Sequence, residues 1–390
     1  MKNRSLLVAV TLLATVISVV GCGKQQEVEE IKINEIIEQE VKAEDNLVAE
    51  ESNTDLVEDI SEEVVAETVE EVEVVEQVRE ITISFAGDCT LGGYKGQTPS
   101  GTFGEYYENN GADFFFENVR EIFENDDFTV VNLEGPLTNL EQTAQKEFPI
   151  KGLPEYVDIL SGSSVEAANL ANNHMRDCGE AGFEETKQIL AENNIGYFGE
   201  NNLFVTEKNG VRIGFAGYRG WYISDELLEQ IKNDMEYIKA EQEADVAVVF
   251  FHYGEERQYY NNKDQERISK YVVDCGADIV IGGHPHVVQG IEIYNGKTIC
   301  YSMGNFSFGA NKNPSDKDTF IYQQTFSLNE NNEVEYKNHT IIPCRISSRT
   351  DWNDCKPTPL HDEDYERVMS RLKEYSSKYD VSIFDIMDNE

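Results

Sequence analysis

Basic side chains are scarce. The 390-residue chain carries 32 Lys and Arg against 74 Asp and Glu, a formal net charge of -42. Such a chain repels phosphate backbones, which excludes a general nucleic-acid binder. It also offers no basic patch for anionic lipid headgroups. Histidine is sparse, with six residues, and tryptophan sparser, with two. No cysteine pair has Cys-x-x-Cys spacing, which argues against a cysteine-held metal cluster. From Lys24 to Arg79 there is no Gly, Pro, Cys, His, Phe, Trp or Tyr. That tract holds 20 Asp/Glu and 4 Lys/Arg. It cannot bury enough apolar surface to offset its ordering entropy, and like charges extend it. All 19 Tyr, all 19 Phe and both Trp lie from Glu80 onward, where the charge balance is about -28. A packed core therefore belongs to that part.

The start of the chain is different again. Lys2 and Arg4 precede Leu6 to Val20, 15 residues without a charge. This is the length of a secretory leader and short for a membrane span. Val19-Val20-Gly21-Cys22 resembles a bacterial lipobox, which implies cleavage before Cys22 and a diacylglycerol thioether on its sulfur. A second acyl chain would make the anchor stable. The expected organisation is a lipoprotein signal peptide over 1–22, an acidic tether over 23–79, a folded domain over 80–345 and a C-terminal extension over 346–390. The expected location is the outer face of a bacterial cytoplasmic membrane. With Cys22 lipidated, six cysteines remain, and an extracytoplasmic setting permits disulfides. Cys344 and Cys355 are the first pair to test, with reduced buried thiols as the alternative.

Strand and helix signals alternate through the folded part, an α/β pattern. Glu80–Ala86, Phe128–Leu133, Ala167–Leu170, Val246–Phe251 and Asp278–Gly282 read as strands. Phe114–Asn125, Gly182–Asn193, Ser224–Gln242 and Gln265–Cys275 read as helices. Asn209-Gly210 and Asn295-Gly296 mark tight turns. Asp88, Glu134, Asn173-His174, His252 and His284 each follow an apolar strand. Ligands collect at the carboxyl ends of strands in open α/β sheets. Four of the six histidines (His174, His252, His284 and His286) stand at such ends. Carboxylate and imidazole together suit borderline divalent metals, and two such ions can share a carboxylate and clamp a phosphoryl group.

These residues also carry a resemblance. Gly87-Asp88, Asn132-Leu133-Glu134-Gly135-Pro136-Leu137, Leu170 to His174 with Asp177 and Gly179, His252-Tyr253-Gly254-Glu255, Gly283-His284-Pro285-His286-Val287 and Gly304-Asn305-Phe306 occur in that order. The pattern over about 81–310 resembles the CapA/PgsA family of poly-γ-glutamate capsule biosynthesis proteins, a branch of the calcineurin-like metallophosphatase superfamily. The resemblance implies a four-layer αββα sandwich with a metal site at one edge. By motif, Asp88 and His286 would ligate one divalent ion, with Glu134 as the bridge. Asn173, His252 and His284 would complete a second, and His174 would protonate a leaving oxygen. The ions would be Mn, Zn, Fe or Mg, one or two of them. The wider superfamily opens with Asp-x-His, where this chain has Thr90, and it bridges with Asp, where this chain has Glu134. The first metal thus lacks one imidazole, and the bridge is one methylene longer. The implied role is a lipid-anchored component of capsule synthesis or export. Its partners would be the membrane, synthase or export subunits and poly-γ-glutamate, with no nucleic acid. The alternatives are a metal-dependent surface phosphoesterase unrelated to capsule and a non-catalytic structural accessory protein.

Overall fold

The run from Val246 to His252 has an apolar residue at every position but the last, and all seven residues are buried in one strand. Burying each such Val or Phe fully contributes roughly 1.5–3 kcal/mol. Where Asn-Gly pairs occur, the chain reverses. Asn209 and Gly210 have φ of 54° and 73°, and Asn295 and Gly296 have 52° and 75°. Both central residues of a type I′ turn need this left-handed conformation.

The computed structural model describes residues 79–380 and 382–384. Cys22, the leader and residues 23–78 lie outside the described residues. In chain order the elements begin with β1 (Arg79–Thr90), β2 (Gly93–Tyr94), α1 (Phe103–Asn110), α2 (Asp113–Phe116), α3 (Arg120–Glu124), β3 (Phe128–Leu133), β4 (Ile150–Lys151) and α4 (Val157–Ser161). Next come β5 (Ala167–Asn169), α5 (Gly179–Glu192), β6 (Gly196–Phe198), β7 (Phe204–Lys208), β8 (Val211–Arg219), α6 (Asp225–Glu236), β9 (Val246–His252), α7 (Lys263–Asp274) and β10 (Ile279–Gly283). Last are β11 (Ile291–Tyr294), β12 (Lys297–Cys300), β13 (Asn305–Phe308), β14 (Asp318–Leu328), β15 (Val334–Arg345), β16 (Thr358–Pro359) and α8 (Asp362–Tyr375).

Two large sheets result. The first runs β16-β15-β14-β1-β3-β5-β6, with β13 also pairing β1, and the second runs β11-β12-β10-β9-β8-β7. Alternation along each strand assigns its two faces. Phe128 and Val130 of β3 join a cluster with Val248, Phe250 and Ile281 of the other sheet. Val131 and Leu133 point the opposite way, into a cluster with Phe103, Phe115, Phe123, Ile159 and Phe183 from α1 to α5. On the second sheet Ala247, Val249 and Phe251 face Ile231 and Met235 of α6 and Ile268 and Val272 of α7. The layers are therefore α, β, β, α, as the resemblance implied. Val368, Met369, Leu372 and Tyr375 of α8 join the inter-sheet cluster.

Local chemistry sets the helix starts. Ser224 accepts from the Leu227 amide at 3.2 Å, a side-chain N-cap. Asn262 and Gln265 form a reciprocal capping box at α7. The expected single helix Phe114–Asn125 is instead α2 and α3, separated at Glu117–Val119. Its apolar spacing persists because Phe115, Phe116, Val119 and Phe123 all still face the same outer cluster. Cys344 and Cys355 do not pair. Every described cysteine is a free thiol, and these two are buried. Among the described residues, no helix is long and apolar enough to cross a membrane.

Candidate metal centre

Parallel register brings the strand ends to one line. Asp88 on β1 stands opposite Asn132 on β3, and Asn132 opposite Asn169 on β5. On the second sheet His252 stands opposite Gly283, and the loop after β10 carries His284 and His286. Two glycines allow these edges to close. A Cβ on Gly87 would lie 2.1 Å from the Gly304 carbonyl oxygen, which instead accepts from the Asp88 amide at 2.9 Å. A Cβ on Gly283 would lie 2.3 Å from Asp88 Oδ1. His284 and His286 hold φ of 93° and 56°, a conformation strained for residues with a Cβ. The loop thereby turns both imidazoles inward, with ring centres 5.9 Å apart.

The side chains converge on Glu134, which is buried. Its Oε1 lies 3.6 Å from His252 Nε2, 3.9 Å from His174 Nε2 and 3.9 Å from His286 Nε2. Yet Oε1 has no hydrogen-bond partner. Asp88 Oδ2 lies 3.4 Å from His286 Nδ1 and accepts from the His284 amide at 3.0 Å. Asn173 Oδ1 lies 2.8 Å from His252 Nε2, and the His252 and His284 ring centres are 4.8 Å apart. Asp88, Glu134 and His286 offer ligand atoms all within 4.8 Å of one another. Thr90, where the wider superfamily has His, stands 3.4 Å from Glu134 Oε2. The structure thus brings all seven expected site residues to one locus. The tightest set is the one that lacks an imidazole by motif.

His174 sits at the rim. Its Nδ1 is 2.7 Å from Asp177 Oδ2 and 2.9 Å from Lys146 Nζ, and Lys146 reaches Asp177 Oδ1 at 2.6 Å. The other ring nitrogen is left facing Glu134.

Electrostatics follow from this crowding. Burial alone would raise the Glu134 carboxyl, but His286, His252 and His174 beside it together hold it well below the usual range. Burial, with His252 and His286 beside it, pushes His284 down to about 2. Burial opposes the charge on His286, yet Glu134 and Asp88 raise it to about 10. A divalent cation fits this donor set. His284 Nδ1 and Glu134 Oε1 are both buried polar atoms without a partner, and such orphans are costly unless something binds them. Ligands at 2.0–2.2 Å from one ion stand roughly 3–4 Å apart, which is the spacing around Oε1.

Other residues of the site carry no ligand signature. Asn132 Nδ2 donates to Asp88 Oδ1 at 2.7 Å, and Asn169 Nδ2 donates to Asn132 Oδ1 at 2.8 Å. Asn305 Oδ1 is 2.8 Å from His286 Nδ1. Trp221 packs edge-on against His284, ring centres 4.9 Å apart. Such partners fix the orientation of ligating groups. The Asn132-Leu133-Glu134 and Gly304-Asn305 motifs contain two of them. Trp221 had no signal beyond its place after β8.

Residues 82–310, more than half of the 390-residue chain, match the family described as bacterial capsule synthesis protein PGA_cap. The chain belongs to this family. All seven site residues fall inside the PGA_cap segment. The chain is 32% identical over 249 residues to the PGA biosynthesis protein CapA of Bacillus subtilis, covering 58% of this chain and 63% of that protein. It is 31% identical over 259 residues to the capsule biosynthesis protein CapA of Bacillus anthracis, covering 59% and 60%. It thus spans about six tenths of the length of these PGA_cap relatives. Among solved structures, a purple acid phosphatase from yellow lupin seeds has a TM-score of 0.31 and 11% identity, covering 74% of this chain and 55% of that one. A likeness that small carries no argument about this chain.

Proposed function

We propose that this chain acts in poly-γ-glutamate capsule production outside the cytoplasm and holds one or two divalent cations at the Glu134 locus. The observation that carries the metal reading is Glu134 Oε1: buried, without a hydrogen-bond partner and faced by three imidazole nitrogens. Asp88, Glu134 and His286 would hold one ion. Glu134, Asn173, His252 and His284 would hold the other. A bound ion supplies Lewis-acid polarisation and a more acidic water. The rest is the work of the chain. Asp177 and Lys146 fix the His174 ring, so that Nε2 can carry a proton toward a group lying over Glu134. Asn132 and Asn305 keep Asp88 and His286 in place, and Trp221 shields His284 from water. The family and the names of its Bacillus members support the capsule assignment. Lipidation at Cys22, the tether over 23–79 and association with synthase or export subunits belong to the same proposal.

The test has two arms. Deleting the gene in its own host should reduce surface poly-γ-glutamate, and the Glu134→Gln gene should fail to restore it. Restoration by Glu134→Gln would point to the structural accessory role. Unchanged polymer in the deletion strain, with metal-dependent hydrolysis of a phosphate ester by the purified chain, would point to the phosphoesterase unrelated to capsule.

A further inference from the structure

A cleft of about 570 Å³ opens over the metal locus, with Glu134, His174 and His286 among its lining residues. Tyr94 and Phe148 pack edge to face at 5.1 Å on one part of its wall, and Tyr259 lies on another. Besides the site histidines, two cationic side chains reach it, Arg257 and Lys312. Lys312 is spent: its Nζ bonds the Thr98 carbonyl and hydroxyl and the Ser100 carbonyl at 2.5–2.6 Å. Arg257 is exposed, and its guanidinium has no hydrogen bond, ion pair or ring contact among the described residues. Its backbone is nonetheless fixed. The Arg257 amide donates to the Pro285 carbonyl at 2.8 Å, between the two site histidines in sequence, and its φ is 63°. A glycine would adopt that conformation without strain. The chain instead carries a long cation there, clamped to the loop that bears His284 and His286.

The acids nearby differ in the same way. Asp316 also lines the cleft, but Arg371 Nη2 holds it at 2.5 Å. Glu256 lines the cleft too, and its charge helps raise His286. Any anion entering must therefore find a counter-charge within a domain whose balance is about -28. A bound metal supplies one. Arg257 supplies another whose donors are free, unlike those of Lys312, and a guanidinium fork matches carboxylate or phosphate oxygens two at a time.

We propose that Arg257 is the anion anchor of this cleft, holding a carboxylate or phosphate group of the substrate beside the metal centre. This deepens the function proposed above and rests on it. It also accounts for how so acidic a domain can receive a polyanion: a cation without a partner among the described residues stands at the cleft, and the aromatic side chains of Tyr94, Phe148 and Tyr259 provide apolar surface along the same wall.

The experiment is calorimetric titration of the full chain loaded with Mn²⁺. One arm uses a short γ-linked glutamate oligomer, the second inorganic phosphate and the third the same oligomer with its α-carboxylates converted to carboxamides, which lacks the side-chain charges. Wild type should bind the glutamate oligomer, phosphate or both, and not the amide oligomer. Whichever anion binds identifies the source of the oxyanion. Arg257→Ala should weaken that binding about 10-fold or more, the loss expected for a charge-assisted hydrogen bond. Arg257→Lys should fall between, and Glu256→Gln should tighten binding. Lys187→Ala, on the outer helix α5, removes one positive charge elsewhere and should change nothing. Mn²⁺ titration of Arg257→Ala should match wild type, which shows that the variant is folded and its metal site intact. Equal anion affinity in wild type and Arg257→Ala overturns the proposal, as does an equal loss in Lys187→Ala. So does a wild type that binds the amide oligomer as well as the acid. Failure of the wild type to bind Mn²⁺ is a separate outcome, and it overturns the metal reading instead.

Discussion

Gly283→Ala tests whether the two sheet edges meet as described. The new Cβ would stand 2.3 Å from Asp88 Oδ1, about 1 Å inside an ordinary carbon–oxygen contact. Asp88 has little freedom to retreat. Oδ1 is held by Asn132 at 2.7 Å and Oδ2 by the His284 amide at 3.0 Å. Hydrogen bonds to charged groups contribute about 1.5–3 kcal/mol each, and overpacking costs about 1–3 kcal/mol. Losing one bond while straining the contact should destabilise the domain by about 3 kcal/mol. Two further glycines calibrate the result. Gly296 has open space around it but a φ of 75°, so Gly296→Ala should cost only about 1 kcal/mol, from the backbone alone. Gly104 lies in α1, and its Cβ would make an ordinary 3.4 Å contact with Tyr156 Oη. There alanine should stabilise by about 0.5–1 kcal/mol through helix propensity. Urea denaturation midpoints of the four proteins provide the assay. If Gly283→Ala unfolds within about 1 kcal/mol of wild type and still responds to Mn²⁺ as wild type does, the packing of β10 against Asp88 is wrong.

Three other outcomes are expected. Burial raises Glu166 to about 7, with Asp126 adding to it, and raises Asp126 to about 6 against its hydrogen bonds to Ser84 and Thr129. The folded state therefore binds these protons more tightly than the unfolded state. The associated stability is full below about pH 4 and is lost as pH rises through about 7. Glu166→Gln should flatten that decline and, at pH 8, be more stable than wild type by on the order of 1 kcal/mol after discounting for partial exposure. His286→Ala should diminish the Mn²⁺-induced rise in melting temperature, because His286 belongs to the tightest ligand set. At an Mn²⁺ concentration 100-fold above Kd that rise corresponds to about 2.7 kcal/mol, and an undiminished rise in the variant would exclude His286 as a ligand. Cys22→Ser should abolish incorporation of a palmitate analogue in a bacterial host, and retained label would contradict lipidation at Cys22.

Much of this arrangement could be read from the sequence, and the reason is physical. Val246 to Phe251 can be satisfied only by burial on both faces, so its strand was evident, and so was His252 at its end. The Asn-Gly pairs announce their hairpins because few other residues take that backbone. The strand-end histidines stood out because histidine is rare here. What stayed hidden depends on partners distant in the chain. Asn132, Asn169 and Asn305 act through amides, which look the same in any loop. Trp221 gains its role only when β8 is laid beside β9. Helix α8 was missed because charge dominates Asp362–Tyr375, although Val368, Met369, Leu372 and Tyr375 form a stripe at helical spacing. Thr90 suggested a weakened first site. The structure gathers the buried carboxylates of Asp88 and Glu134 around His286 there, without the missing imidazole.

The central claim is that Glu134 is the shared ligand of a divalent metal centre. Metal bound per chain, counted by mass spectrometry after equilibrating the full chain with Mn²⁺ and removing free ion, tests it most directly. Wild type should retain one or two ions per chain, and Glu134→Gln should retain none, because both proposed ligand sets include its carboxylate. A wild type that retains no Mn²⁺, Zn²⁺, Fe²⁺ or Mg²⁺, or a Glu134→Gln variant that retains as many ions as wild type, would contradict the account.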